Sequence, residues 1–401
     1  MFEYNKKRLG GIAKIHLLPY RAALWLLLVL TVGGGAQSQL CAEMPVGDYG
    51  AVAIDLEAGA EYSSNIALNS LEQEDTVFNF KPLLRYRFDA GALWIEAYAG
   101  VNIIRYQDYD ENDAEDFKSQ FVFEFPSEAG RYEKRYDLRL ALGYNEITSA
   151  NSAVQSIAAV NVINADLTGR YYYSDRSYFR SGLLYYSRES DSAGYFDFDE
   201  FAIPVELFYE ATESLSYGVG YRYRMTNIDS PAPEADSTDH AIYLAVVGEM
   251  DPSVTGEVRV GVQSRDFEAS IYDSETAFFL DSSLLWQLSD LTWMKISLGN
   301  EFGTTISNQS KEVLFARFKL RHSFTEQWDG TLELGYEELD YSKITGNRED
   351  DQQTIEIGAI YTLIEDRLQM EGNLGFRDRN SNESFSDYQE SHVRISVSYL
   401  F

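Results

Sequence analysis

From about residue 50 to the end of the chain, apolar and polar residues alternate with a period of two. In the first such segment Val52, Ile54, Leu56, Ala58, Ala60 and Tyr62 hold one face, and Asp55, Glu57 and Glu61 the other. Next, Phe78, Phe80, Leu84, Tyr86 and Phe88 oppose Asn79, Lys81, Arg85 and Arg87. The pattern returns with Leu138, Leu140, Leu142 and Tyr144 against Asp137, Arg139 and Asn145, and with Leu314, Ala316, Phe318 and Leu320 against Arg317, Lys319 and Arg321. Side chains leave a strand on alternate faces, so this pattern predicts strands with one apolar and one polar face.

The separators alternate too. Tight ones fall at Asp89 to Gly91, Pro126 to Gly130, Ser174 to Ser177, Ala211 to Ser214, Met250 to Ser253, Ser289 to Thr292, Thr325 to Trp328 and Glu365 to Arg367. Longer, acidic ones fall near 63–75, 107–116, 148–155, 189–197, 227–238, 267–275, 306–312, 341–352 and 379–388. Eight tight turns and nine loops predict eighteen strands, within a range of 16 to 20; the stretch 155–188 is the hardest to divide. An even count places both termini on the short-turn side, as in bacterial outer-membrane barrels. The fold class expected is therefore all-β, a transmembrane antiparallel up-and-down barrel. The repeat spacing also suits propeller blades, but no further layer of sequence exists to cover the apolar faces. The last strand carries Val393, Ile395, Val397, Tyr399 and the terminal Phe401 on one face. That ending resembles the signal read by the bacterial barrel-assembly machinery, with Tyr399 and Phe401 as its aromatic positions.

Residues 1–42 read differently. Lys6, Lys7, Arg8, Lys14 and Arg21 precede an apolar run from Ala22 to Val32 and a small-residue stretch, Gly33 to Ser38. This is the layout of a signal peptide, with cleavage expected after Ser38 or Ala42. The run is short for a membrane-spanning helix, which needs about 20 residues. The lone Cys41 follows Ser38-Gln39-Leu40, an atypical setting for lipidation, and it permits no intrachain disulfide. Residues 43–49 are expected to form a short lead and 50–401 the barrel, and neither a plug nor an added periplasmic domain is expected. Since no loop exceeds about a dozen residues, none is expected to fold inward.

Charge narrows the partners. The chain carries 33 basic and 64 acidic residues, a net charge of −31. Removing the leader takes five basic residues and one acidic, leaving a net charge of −35. Nucleic acid is excluded as a partner; outer-membrane lipid and lipopolysaccharide are expected ones. The mean hydropathy of −0.31 would suggest a soluble protein. In a barrel, lumen-facing polar residues offset lipid-facing apolar ones. Tyr (29) and Phe (23) are abundant, and Trp94, Tyr106, Trp286, Trp293, Trp328, Tyr336, Tyr341 and Tyr399 fall near strand ends, where girdles at the head-group level form.

The lumen is expected to mix both signs: Arg85, Arg87, Arg139, Arg222, Arg224, Arg259, Lys319 and Arg321 against Glu57, Glu96, Glu206, Glu257, Glu301, Glu333 and Glu356. Cross-strand pairing would make these a stiffening lattice; a ring of them would make a filter. Catalysis has little to build on. Beyond His16 of the leader, His240, His322 and His392 cannot be set into a Ser-His-acid arrangement from sequence, and no enzyme is expected. Asp108, Asp110 and Asn112 begin like a calcium loop, but Asp113 replaces the turn glycine and Ser119 the bidentate Glu. Asp197, Asp199, Asp236, Asp239 and Glu349 to Asp351 add further outer negative charge. No cofactor is expected, apart from divalent cations held loosely by these loops.

The opening of the barrel, Ala60-Glu61-Tyr62-Ser63-Ser64-Asn65-Ile66 followed by Phe80-Lys81-Pro82, resembles the family called putative β-barrel porin 2. An early strand ending in a Tyr-x-x-Asn-Ile-like element and a Pro in the second strand carry the resemblance. It implies an outer-membrane channel, and, through members similar to surface-polysaccharide export components, a conduit for exopolysaccharide with export proteins as partners. A structural or adhesive barrel is the alternative, and a barrel enzyme a more distant one.

Overall fold

The structure is a computed structural model. It describes residues 43–126, 135–151, 156–190, 195–229, 236–269, 273–305, 307, 309–341, 348–365 and 367–401. The leader, its cleavage positions, Cys41 and most of the turn expected at 126–130 lie outside the described residues.

A three-residue strand, β1 (Met44–Val46), folds back on β2 (Gly50–Ser63). There follow β3 (Asp75–Asp89), β4 (Trp94–Tyr106), β5 (Ala114–Phe125), β6 (Tyr136–Asn151), β7 (Ser156–Ser174) and β8 (Ser177–Glu189). The wall continues with β9 (Asp197–Glu210), β10 (Leu215–Asp229), β11 (Ser237–Asp251), β12 (Val254–Phe267) and β13 (Glu275–Ser289). It ends with β14 (Thr292–Thr304), β15 (Ser310–Ser323), β16 (Trp328–Tyr341), β17 (Glu349–Ile364), β18 (Leu368–Ser381) and β19 (Tyr388–Leu400). Each strand pairs antiparallel with its sequence neighbours, and β19 pairs with β2 from His392↔Ser63 to Leu400↔Asp55. The result is a closed barrel of eighteen strands, β2 to β19, with β1 as a short flap. The difficult stretch 155–188 resolves into a 19-residue β7 and a 13-residue β8.

Closure removes every sheet edge, which is what lets β-structure sit in lipid. The two faces then sort by parity. On β11 the even positions Ile242 and Leu244 are 58% and 70% exposed, whereas the odd positions Asp239, Ala241, Tyr243 and Ala245 are buried. The exposed set continues outward through Val260, Val262, Ile355, Ile357, Leu374 and Val393. No helix among the described residues is long and apolar enough to cross a membrane, which leaves crossing by strands untouched. Outward Tyr136, Tyr171, Tyr209 and Tyr217 sit toward the short turns, and Tyr144, Tyr185, Tyr221 and Tyr336 toward the loops. Tyr136 and Tyr144 are eight residues apart on β6, roughly 27 Å along a strand. With the usual tilt, that approaches an apolar band about 25 Å tall.

Not every aromatic belongs to those girdles. Trp94, Tyr106, Trp293 and Tyr341 take the lumen parity of their strands, beside Glu96, Tyr98, Arg321 and Leu339. Tyr341 is buried and its hydroxyl accepts a hydrogen bond of 2.9 Å from Arg379. Position near a strand end fixes depth in the membrane; parity alone fixes which side of the wall.

Candidate functional site

Alternation puts the basic residues of the wall into the lumen, and register puts a carboxylate next to most of them. Lys81 meets Glu57 at 2.7 Å and Arg85 meets Asp55 at 2.5 Å, each across the β2–β3 pair. Arg139 meets Glu124 at 3.2 Å, Arg321 meets Asp329 at 2.6 Å, and Lys319 pairs with Glu333. Glu96 stands opposite Arg87 in register, but Arg87 reaches Glu43 of the lead at 2.8 Å. Arg259 is shared among Glu206 (2.9 Å), Asp281 (2.8 Å) and Glu257. Glu356 lies 3.5 Å from His392. The half-exposed pairs contribute about 0–1 kcal/mol each, so the lattice sets the field in the lumen more than it holds the wall.

Beneath part of this lattice is a layer of rings. Tyr178, Phe208, Tyr243 and Phe279 are buried on β8, β9, β11 and β13. They lie flat because β10 offers glycines: a Cβ on Gly218 would sit 2.5 Å from the Phe208 ring, and one on Gly220 2.2 Å from Tyr243. Arg180 and Arg222 cover Phe208 and Phe279, each 4.9 Å from the ring centroid. The rings fill the space between wall and guanidinium layer, and the charged ends face the lumen water.

The loop end of β14–β15 departs from the wall. Pairing of β13 with β14 stops at Leu280↔Asn300, although β14 stays paired with β15 to Thr304↔Ser310. Beyond Asn300 the hairpin inclines into the lumen and meets strands several places away. Arg222 of β10 donates to both Glu301 oxygens at 3.2 Å, and Arg224 to the Phe302 carbonyl at 2.7 Å. From β12, Arg265 donates to the Gly303 carbonyl (3.0 Å) and to Ser310 Oγ (2.7 Å). From β8, Arg188 donates to the Thr305 carbonyl (3.2 Å). Strands lie about 4.8 Å apart, so β8 is far beyond the reach of an arginine from a β14 that stayed in the wall. Loop length predicts that no long loop folds inward as a constriction; the inward segment is instead the ends of two strands, which loop length does not report.

The hairpin is held by two buried charge clusters. Asp239 accepts from Arg224 (2.7 Å, Nε) and Arg265 (2.7 Å, Nε); all three side chains are buried. On the other side of the hairpin, Asp350 pairs with Arg348 at 2.9 Å and with Arg379, beside Tyr341, which is opposite Lys311 in register. The sequence counted Asp239 and Asp350 among outer-loop charges. Both lie within three residues of a loop, but their parity turns them inward.

The remaining candidates have bonding roles of other kinds. Asp110 to Asn112 form one 3-10 turn, and the backbone N–H groups of Asp108 and Tyr109 donate to Asp75. Among the described residues no group of three or more His, Cys, Asp or Glu could hold a metal ion. His240 faces outward and bonds Tyr221 at 2.7 Å, and His322 bonds Thr292 at 2.8 Å. Tyr399 stacks edge-on with Phe401, whose N–H donates to the Ile54 carbonyl at 2.9 Å, closing the wall to its last residue.

A sequence profile of the family described as putative beta-barrel porin 2 matches residues 222–401. This is the family that the opening of the barrel resembles, and the match covers a little under half of the chain. The match begins within β10 and runs to the end of the chain, whereas the Asn65 and Pro82 elements that first suggested it lie outside. No curated protein matches the chain. Among solved structures, OccAB4 of Acinetobacter baumannii is 11% identical with a TM-score of 0.47, covering 87% of this chain and 98% of that one. OpdK of Pseudomonas aeruginosa with vanillate is 11% identical with a TM-score of 0.46, at the same coverage. A bacterial polysaccharide outer membrane secretin is 11% identical with a TM-score of 0.39, covering 87% and 98%.

Proposed function

We propose that the protein is a channel of the outer membrane that passes small hydrophilic solutes. The observation carrying this reading is the division of a closed eighteen-strand wall into an apolar outer face and a charged, water-facing inner one. A lumen of this circumference exceeds what wall side chains alone can fill, and the match to a porin family supports the same reading. In this account the outer face meets lipid, with lipopolysaccharide toward the loops, and the Tyr399–Phe401 strand is the one offered to the assembly machinery. In this reading the β14–β15 end is the narrowing of the lumen, and no plug domain is formed by the described residues.

The exopolysaccharide conduit implied by the family is the second reading. It requires the β14–β15 end to leave the lumen, because Arg188, Arg224 and Arg265 tie it to three other strands. Planar-bilayer recording of refolded protein tests the first reading. Discrete conductance steps are expected, and an electrically silent insertion confirmed by heat-modifiable migration would contradict it.

A further inference from the structure

We infer that the narrowing at the β14–β15 end selects anions, with Arg188 and Lys311 as the charges that set the preference. The inference rests on the channel reading and deepens it by naming the solute class.

Most lumen cations are compensated. Asp239 neutralises part of Arg224 and Arg265, and Asp350 part of Arg348 and Arg379, so that each carboxylate is shared by two guanidiniums. Glu200 and Glu301 also lie 3.6 and 3.7 Å from Arg224, and Glu301 pairs with Arg222 at 3.2 Å, so the uncompensated positive charge at the hairpin is that of the two remaining cations. Arg188 has no carboxylate oxygen within 4.0 Å among the described residues; its guanidinium lies 4.2 Å over the Phe198 ring and donates to the Thr305 carbonyl. Lys311 likewise has no ion-pair partner among the described residues, and the charges acting on it are Arg379, Glu337, Asp350 and Arg188. Of these, Glu337 is bonded to Arg317 at 2.5 Å and Asp350 to its two arginines. Arg188 stands on β8, Lys311 on β15 and Arg379 on β18, so cations from well-separated parts of the wall converge on the hairpin. Neither Arg188 nor Lys311 is fully enclosed, and each keeps part of its surface accessible.

The chain as a whole points the other way. A net charge of −31 predicts cation enrichment at the mouths. At 1 M salt, however, screening confines a charge to about 3 Å. Loop carboxylates then lose influence, whereas a charge lining the narrowing still acts at contact on whatever passes.

The test is the reversal potential of refolded protein across a KCl gradient, for the wild type, Arg188→Gln, Lys311→Gln and the double variant, each checked for heat-modifiable migration. The expected result is chloride preference that strengthens with salt and falls about twofold or more in each single variant. The single variants carry the test if the double variant does not fold. A conducting protein that prefers potassium, or a chloride preference that both single variants keep, overturns the inference and leaves the channel intact. Absence of conductance overturns the channel reading itself.

Discussion

The side-chain amide of Asn65, in the first loop, donates to the carbonyl of Gln389, in the last strand, at 3.0 Å. The same amide donates to the Asn69 carbonyl at 2.7 Å, and Ser63 Oγ donates to Glu390 at 2.9 Å. Together they clasp the seam where β2 meets β19, the pairing that must form across the greatest sequence separation. Asn65 is buried, so Asn65→Ala removes both of these hydrogen bonds from a buried site and should cost about 1–3 kcal/mol. The expected readout is a lower urea midpoint for unfolding from liposomes, with conductance unchanged; an unchanged midpoint would remove the clasp from the account.

Asp239 offers a larger effect. Asp239→Ala strips the shared carboxylate from buried Arg224 and Arg265, and breaking such a buried pair costs about 3–5 kcal/mol. Because both arginines also hold the hairpin end, the variant should combine a lower unfolding midpoint with noisier, larger single-channel currents. A loss of stability at unaltered conductance would separate the cluster from the narrowing.

Those two sites also mark what could be read from the sequence. Alternation from Val52 to Tyr62 and from Val393 to Phe401 exposed the strands, their faces and, by counting separators, their number. Such features are local, and closure follows from them. The Asn65 element was visible as a family marker, but its partner is 324 positions away, and no periodicity reports that. Glu301 and Ser310 alternate like any wall residues; their departure inward shows only in the pairing that β14 loses and the arginines it gains. Gly218 and Gly220 could have given a signal, since two glycines on the lumen parity of one strand leave room for rings from its neighbours.

Gly220→Leu tests that ring layer. Its Cβ would lie 2.2 Å from the Tyr243 ring, forcing the ring off the wall at about 1–3 kcal/mol. Thermal loss of the compact gel band is expected several degrees below the wild type. An unshifted transition would mean that the rings can move freely.

Leu244 stands at the middle of β11 and is 70% exposed. If that face meets hydrocarbon, Leu244→Arg costs about 2–4 kcal/mol, as charged residues do at the bilayer midplane. Unfolding in liposomes should show the penalty, and its absence would place this face in water.

The central claim is a membrane channel narrowed by the end of its own β14–β15 hairpin. Single-channel conductance of the refolded wild type beside Arg265→Ala tests it most directly, because Arg265 holds the hairpin through both the Gly303 carbonyl and Ser310. The account predicts discrete steps for the wild type and larger steps for the variant. Equal steps, or no steps from either correctly folded protein, would contradict it.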